Sequence, residues 1–576
     1  MTYLEKANQW KANKNLAADL KAELDKMSDN DLKEAFTNDM EFGTGGMRGI
    51  MGYGTNRYNT YTIRRANFGL GKYLLKTWKD QVSRGVVISH DGRHHSRDYA
   101  FESARVLGAL GIKCFMFDGI RTTPELSFSV RQLGCIAGIM ITASHNPAAY
   151  NGYKVYNEKG CQYIPEFADQ IVEEVNKVEN IFDVPVQDKD FMLKSGMLRI
   201  LPKDLDDKFI EAAKSVQLYP EMKKVIKIVY TPLHGCGAVP AKRLLAELGY
   251  DASFVEKQMI TDPDFSTVKS PNPEDPASFK MAEELGLKVH GDLLIASDPD
   301  ADRIGIGVWD GSKYNYLTGN QSAALLIEFR LAREKELGLL PKKGRVFNTI
   351  VTSDSGAKIA KAYGYKVTST LTGFKWIGDA MDKAKEKDPE EEYVFGYEES
   401  YGYIVKDFVR DKDSFSALTA IGEMANWYRI NENKNLMQKL DDLYEKYGWF
   451  TEVTRNHYFE GLEGPKKMAQ IMDYFRNEKI TTLGGYKVAV KEDVLESTRL
   501  QMSTGVKSPL NLPKSNVIKY YLAGVDAWAV LRPSGTEPKL KIYLEACDSD
   551  KEVSKSIVKA LDDEFTLKIK ELTGNA

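Results

Sequence analysis

Three times along the chain an apolar strand, a helix stopped by glycine and a second strand follow in close succession. The copies begin at residues 85 (GVVISHD, helix 104–110, Gly111, IKCFMF), 227 (KIVYTPLHG, helix 241–248, Gly249, ASFV) and 346 (VFNTIVT, helix 357–363, Gly364, KVTST). Glycine just past a helix supplies the left-handed backbone that other residues resist. Strand, helix and strand in this order make a βαβ unit. A chain of 576 residues is also too long for one hydrophobic core. The pattern predicts three α/β domains of one kind. The remainder differs: VIKYYL from 517, AWAVL from 527 and LKIYLE from 540 are short neighbouring strands, with helical patterns at 465–475 and 553–565. That arrangement predicts a smaller α+β domain with an antiparallel sheet. The expected domain boundaries are 1–205, 206–320, 321–448 and 449–576.

Composition narrows the partners. The apolar fraction is 43%, the charged fraction 28% and the formal net charge −3, with no cluster of Lys and Arg among aromatics, so no nucleic acid partner is expected. The five cysteines (114, 135, 161, 236 and 547) are odd in number and form no CxxC pair. A disulfide framework or zinc site is therefore not expected, and a reducing compartment is. The stretch MTYLEKANQWKANKN is polar, and no apolar run approaches the ~20 residues of a membrane span. No membrane partner and a cytoplasmic address are expected.

The apolar run CIAGIMI, 135–141, ends in TASHNP, 142–147. Ser144 thus stands at the C-terminal end of a buried strand, where open α/β sheets place their ligand crevice. A lone serine there serves more often in an ST-turn, capping the backbone. The hydrolase elbow GxSxG is absent, so a Ser-His-Asp hydrolase is not the first reading. A second stretch, SDPDADR from 297, alternates Asp298, Asp300 and Asp302. In an extended loop the three carboxylates converge and repel unless a cation sits among them, and hard oxygens select Mg²⁺, Mn²⁺ or Ca²⁺. An EF-hand is excluded, because Arg303 and Trp309 stand where its glycine and glutamate belong. The aspartyl-phosphate motif DxDx[TV] fails at Asp302.

A third stretch, LRPSGTEP from 531, with Lys539 and Lys541 after it, joins two strands. A guanidinium fork, two hydroxyls and a glycine make a phosphate cradle. A fourth, FGYEESYG from 395, offers carboxylates and a hydroxyl to vicinal sugar hydroxyls. GTGGMRG from 43 is glycine-rich with one arginine, but is neither a Walker A loop nor a dinucleotide fingerprint. Lys154 follows the serine loop, and Lys412 lies between acids in RDKD.

In this order, GTGGMRG, TASHNP, DPDADR, GYEES and RPSGTEP resemble the α-D-phosphohexomutase family, the phosphoglucomutases and phosphomannomutases, from about Gly43 to Lys541. The resemblance implies an α/β fold: three similar α/β domains with mixed sheets plus a smaller C-terminal α+β domain around a central cleft. It implies that Ser144 carries a phosphoryl group and, with Asp298, Asp300 and Asp302, holds one Mg²⁺. Arg48 and Arg303 would lie against the reacting phosphate, His145, Lys154 and Lys412 would serve the chemistry, and Glu398 and Ser400 would read sugar hydroxyls. Thr44, Gly373 and Lys375 belong to substrate-binding loops, and Arg532, Ser534, Gly535, Thr536 and Lys541 to a distal phosphate site. Tyr397 is a departure, standing between Gly396 and Glu398 where the family pattern reads GE-x-S. TGFKWIG from 372 is similar to the glucomutase form of its loop. The implied activity interconverts glucose 1-phosphate and glucose 6-phosphate through a phosphoserine and glucose 1,6-bisphosphate. Phosphomannomutase, phosphopentomutase and, less so, a metal-dependent sugar phosphatase are the alternatives; a sugar-phosphate sensor is a third class. A monomer or homodimer is expected.

Overall fold

The computed structural model describes residues 1–14, 16, 18–43, 45–459, 463–534 and 539–574. They fall into two units. The first comprises Met1–Ser322, Ala332–Gly344 and Phe374–Asn435, and the second Ala323–Leu331, Arg345–Gly373 and Leu436–Ala576. The expected third segment, 321–448, is thus divided between them.

In the first unit, Gly46–Ile50 (β1), Val86–His90 (β2), Cys114–Met116 (β3), Ala137–Ile141 (β4), Tyr150–Asn157 (β5) and Leu198–Ile200 (β6) form one sheet in the order β1-β5-β4-β2-β3-β6. Strands β4, β2, β3 and β6 run parallel, β5 runs against β4, and β1 against β5. Every residue of β2 and β4 is buried, which is why neither shows the alternation of a half-exposed strand. A second sheet has the order β11-β10-β9-β7-β8, from Lys227–Thr231 (β7), Asp251–Phe254 (β8), Leu293–Ser297 (β9), Ile304–Trp309 (β10) and Tyr314–Leu317 (β11). Again the βαβ strands are parallel, and β10 and β11 are antiparallel additions. Both sheets are mixed, as expected. The N-terminal helices Tyr3–Ala12 and Asp29–Phe36 enclose Trp10, whose indole meets Phe36, Tyr61 and Phe182 edge-on at 5.3–5.5 Å.

The helices begin earlier than the apolar pattern indicates: Ser96–Ala109, Ala238–Glu247 and, in the second unit, Asp354–Ala362. Their first turns bury small or polar residues, such as Ser96 and Ser355, that carry no apolar signal. Gly111, Gly249 and Gly364 all have φ near +80° (79°, 79° and 81°), the conformation assigned to them as helix stops.

In the second unit, residues 345–349 of the strand Gly344–Thr349 pair in parallel with Lys366–Thr370. The C-terminal sheet is antiparallel throughout, ordered Trp449–Tyr458, Lys539–Asp548, Asp526–Pro533, Ile518–Leu522, Tyr486–Asp493, Thr498–Gln501, Lys507–Pro509. Helices Gly464–Asn477 and Lys551–Thr573 bury Ile471, Phe475, Leu561 and Phe565 with Ile542 and Leu544 of the sheet. No helix among the described residues is long and apolar enough to cross a membrane.

One buried acid makes this unit pH-sensitive. Glu545 accepts hydrogen bonds at Oε1 from the Asp354 backbone N–H (2.9 Å) and Trp528 Nε1 (3.1 Å), and Oε2 is buried without a partner. Burial, then the charge of Asp354, pushes its carboxyl well above the usual range. A raised acid binds its proton more tightly folded than unfolded. Its contribution is therefore most favourable below the unfolded value, about pH 4.3, and is lost as the pH rises through the folded value. Glu545→Gln should raise Tm at pH 8 by roughly 2–4 °C and change it little near pH 4. Equal shifts at both pH values would contradict this.

Candidate active site

Strand β4 ends at Ile141, beside His90 of β2. Parallel neighbours bring their C-terminal loops together, so 91–93 lies beside 142–144. Gly152 of β5 backs this loop: a Cβ there would lie 2.4 Å from the Thr142 carbonyl oxygen, so only glycine allows the two strands to approach. Ser144 is 3% exposed with φ of 51°, left-handed backbone that serine seldom adopts. Its Oγ donates to Asp298 Oδ2 at 2.6 Å and lies 3.2 Å from His145 Nδ1. Arg48, on β1 opposite Gly152, donates to Asn146 Oδ1 at 2.9 Å.

Asp298, Asp300 and Asp302 occupy the turn from β9 to β10, all but fully buried, with one oxygen from each within 4.8 Å of the others. Asp298 Oδ1 accepts the backbone N–H groups of Asp302 and Arg303, both at 3.0 Å, which folds the turn back on itself. Thr123 donates to Asp300 Oδ2 at 2.7 Å. Lys154 Nζ bridges Asp300 Oδ2 (2.7 Å) and Asp302 Oδ2 (3.1 Å), and Lys412 Nζ lies 3.1 Å from Asp302 Oδ2. Two opposite oxygens, Asp300 Oδ1 and Asp302 Oδ1, are buried with no hydrogen-bond partner. Most buried polar atoms of native proteins find a hydrogen-bond partner, so two orphaned carboxylate oxygens beside a third carboxylate fit a hard divalent cation.

Charge is steeply graded across this cluster. Burial, then repulsion from Asp300 and Asp302, pushes Asp298 well above the usual carboxylate range. Burial also acts to raise Asp302, but Lys154, Lys412 and Arg303 outweigh it and hold that carboxyl far below. Burial would lower both lysines; Asp300 and Asp302 keep Lys154 above the ordinary range, and Asp302, Asp411 and Glu398 do so for Lys412. His145 goes the other way, since desolvation, Arg303 and Arg48 push it well below the ordinary histidine value. The site therefore holds two protonated lysines and a neutral imidazole at neutral pH.

The GYEES stretch is the hairpin of Glu392–Glu398 with Gly402–Ile404. Strand alternation sends Tyr397 into the core at 0% exposure and Glu398 to the other face, where Arg303 and Lys412 feel its charge. The Tyr401 carbonyl accepts the Ile304 N–H at 3.1 Å, tying the hairpin to the first residue after the acidic turn. Ser400 is half-buried in the tip. Lys375 is the second residue of the helix Phe374–Lys387, and burial lowers its ammonium below the usual range. Ser144, His145, Lys154, Arg48, Lys412, Arg303, Glu398, Ser400 and Lys375 thus all belong to the first unit.

Of the remaining sequence candidates, Gly373, Arg532, Ser534 and Lys541 lie in the second. Arg532 and Lys541 are cross-strand partners in the hairpin of Asp526–Pro533 and Lys539–Asp548, and Arg532 Nη1 donates to Tyr543 OH at 3.1 Å. Ser534 continues the turn, its N–H donating to the Lys539 carbonyl at 2.8 Å. Gly373 has φ of 115°. Thr44, Gly535 and Thr536 lie outside the described residues.

Three residues of the site went unread in the sequence: Arg93 contacts the serine loop, Thr123 holds Asp300, and Glu274 forms an ion pair with Arg303. Asp411, one of the acids noted around Lys412, flanks it at 3.4 Å. Asp91-Gly92-Arg93 was detectable, because it ends the strand parallel to the one that delivers Ser144. Glu274 carried no signal, since two acids between prolines, Glu274 and Asp275, read as a loop.

Family profiles described as phosphoglucomutase/phosphomannomutase, alpha/beta/alpha domains I, II and III, match residues 39–182, 207–311 and 318–447, and that of the C-terminal domain matches 487–563. A phosphoglucomutase from Staphylococcus aureus (strain MSSA476) is 36% identical over 525 residues, 90% of this chain and 92% of the relative. Among solved structures, a phosphoglucomutase/phosphomannomutase family protein from Burkholderia thailandensis superposes with a TM-score of 0.65 at 17% identity, covering 93% of this chain and 98% of that one. The exocytosis-sensitive phosphoprotein pp63/parafusin from Paramecium gives 0.65 at 18% identity, covering 93% and 97%. At those identities the two structures speak for the fold alone. The matched domains and the Staphylococcus relative establish that the chain belongs to the phosphoglucomutase/phosphomannomutase family, isomerases that act as intramolecular phosphotransferases.

Proposed function

We propose that the chain interconverts glucose 1-phosphate and glucose 6-phosphate by passing a phosphoryl group through Ser144. The observation that carries this reading is the 2.6 Å contact between Ser144 Oγ and a buried acidic trio that has two orphaned oxygens. The name of the Staphylococcus relative supports glucose over mannose or a pentose.

A free hydroxyl of the hexose monophosphate attacks phosphorus on Ser144, and the bond from phosphorus to Oγ breaks. The product is glucose 1,6-bisphosphate. It then presents its other phosphate, Oγ attacks that phosphorus, and the isomeric monophosphate leaves. The proton that the attacking sugar hydroxyl gives up ends on Oγ as it leaves, so a neutral base that takes it up and hands it on balances the step. His145, neutral and 3.2 Å from Oγ, is placed to exchange a proton with the serine. Lys154 and Lys412, held protonated, offset charge on the transferring oxygens together with Arg48 and Arg303. One Mg²⁺ held by Asp298, Asp300, Asp302 and an oxygen of phosphorylated Ser144 adds charge neutralisation when bound. Glu398 and Ser400 bind sugar hydroxyls, and Thr44, Gly373 and Lys375 the rest of the substrate. Arg532, Ser534, Gly535, Thr536 and Lys541 hold the idle phosphate. We retain 1–205, 206–320, 321–448 and 449–576 as domain boundaries. A cytoplasmic monomer or homodimer accords with five buried, unpaired cysteines.

A coupled assay across glucose, mannose, glucosamine, ribose and deoxyribose 1-phosphates, with a trace of bisphosphate, tests the reading. Glucose 1-phosphate should give the highest kcat/KM. Release of inorganic phosphate without isomerisation would favour a phosphatase and overturn it. Arg532→Ala should raise KM roughly tenfold with kcat nearly unchanged, because it removes a charge-assisted contact to the idle phosphate; an unchanged KM would remove Arg532 from that role.

A further inference from the structure

Serine in left-handed backbone is held there by its surroundings. Glycine would adopt φ of 51° freely but has no hydroxyl. At Ser144 the restraint comes from both sides. Its N–H donates to Thr142 Oγ1 at 2.9 Å, and its carbonyl accepts from Arg93 Nη2 at 2.6 Å. The same guanidinium donates from Nη2 to the Asn146 carbonyl (2.5 Å) and from Nη1 to those of Pro147 (2.9 Å) and Tyr150 (3.1 Å). One side chain thus holds four carbonyls, spread over the loop that joins β4 to β5. Arg93 is itself fixed. Its Nε lies 3.3 Å from Asp91 Oδ2, its carbon Cζ sits 4.8 Å from the centre of the Phe265 ring, and its side chain is 0% exposed. With its donors turned to the loop and no exposure to solvent, Arg93 has no route to a sugar phosphate.

We propose that Arg93 is the positioning residue that aims Ser144 Oγ, the template on which loop 142–150 takes its shape. The proposal rests on the reading of Ser144 as phosphoryl carrier. Only a planar fork can serve four carbonyls at once; a lysine offers three donors from a single point.

The test uses the full chain with Arg93→Lys, Arg93→Met and Ser144→Ala. It measures kcat and KM for glucose 1-phosphate, and the rate at which Ser144 takes label from phosphorus-labelled glucose 1,6-bisphosphate. Both Arg93 variants should lose about 100-fold in kcat per folded molecule, the scale of a small misplacement of a reacting group, with KM within threefold. Labelling of Ser144 should slow by the same factor. A merely structural residue would lower Tm and the folded fraction but leave kcat per folded molecule intact. Folded Arg93 variants with kcat within threefold of the parent, alongside an inactive Ser144→Ala, would overturn the proposal and leave the phosphoserine reading standing. A parent protein whose Ser144 takes no label would overturn both. Should the Arg93 variants not fold, Phe265→Leu decides, since it frees one face of the guanidinium and keeps every donor. A roughly fivefold loss of kcat at constant KM supports the proposal, and a parental kcat overturns it.

Discussion

Ser144→Ala should lower kcat for isomerisation of glucose 1-phosphate by roughly 10⁴-fold or more, the cost of deleting a covalent nucleophile. The change removes one oxygen from a site where nothing else can take its place. Ser144 Oγ meets Asp298 at 2.6 Å and has the His145 imidazole 3.2 Å away, whereas the other hydroxyl on the acidic trio, that of Thr123, is engaged with Asp300 Oδ2. Stability should hardly move. Alanine tolerates the φ of 51° no better and no worse than serine, and the Arg93 contacts go to backbone carbonyls that the substitution leaves in place. A Tm within a few degrees of the parent, with activity gone, separates chemistry from folding. Retained turnover would mean that another atom carries the phosphoryl group, or that none does.

Stripping divalent cations should cost nearly as much, roughly 10³-fold in kcat, and added Mg²⁺ should restore it. The carboxylates at 298, 300 and 302 are buried and crowd within 4.8 Å. Lys154 and Lys412 offset charge along one edge only, through Asp300 Oδ2 and Asp302 Oδ2. The Oδ1 atoms of Asp300 and Asp302 accept no hydrogen bond and mark the edge those lysines leave open, with Arg303 Nε 4.0 Å from Asp302 Oδ1. Asp300→Asn should therefore weaken Mg²⁺ activation about 100-fold while keeping the Thr123 contact, because an amide oxygen still accepts that hydroxyl. Full turnover in excess chelator would refute the metal role.

Much of this was legible in the sequence because it is local. Strand runs, helix stops and the alternating aspartates depend on near neighbours, and the mixed and antiparallel sheets follow from them. The helix N-termini were read late, since Ser96 and Ser355 are buried without being apolar. What escaped was contact between distant segments. Arg93 reaches a loop some fifty residues on, and Glu274 meets Arg303 with a helix, Lys280–Val289, and strand β9 between them in the chain. The aim of Glu398 was set by parity: the inserted Tyr397 fills the core, so the next side chain must face the other way. The two compact units divide the segment 321–448, which the domain III family profile matches as one stretch, 318–447.

The most direct test follows the phosphoryl group itself. Protein charged with labelled phosphate from glucose 1,6-bisphosphate would be digested to locate the label, and a second portion mixed rapidly with unlabelled glucose 1-phosphate. The account predicts one label per chain, on the peptide containing Ser144, passing to the sugar at least as fast as kcat. Label on any other residue, or label on Ser144 that leaves more slowly than turnover, would contradict it.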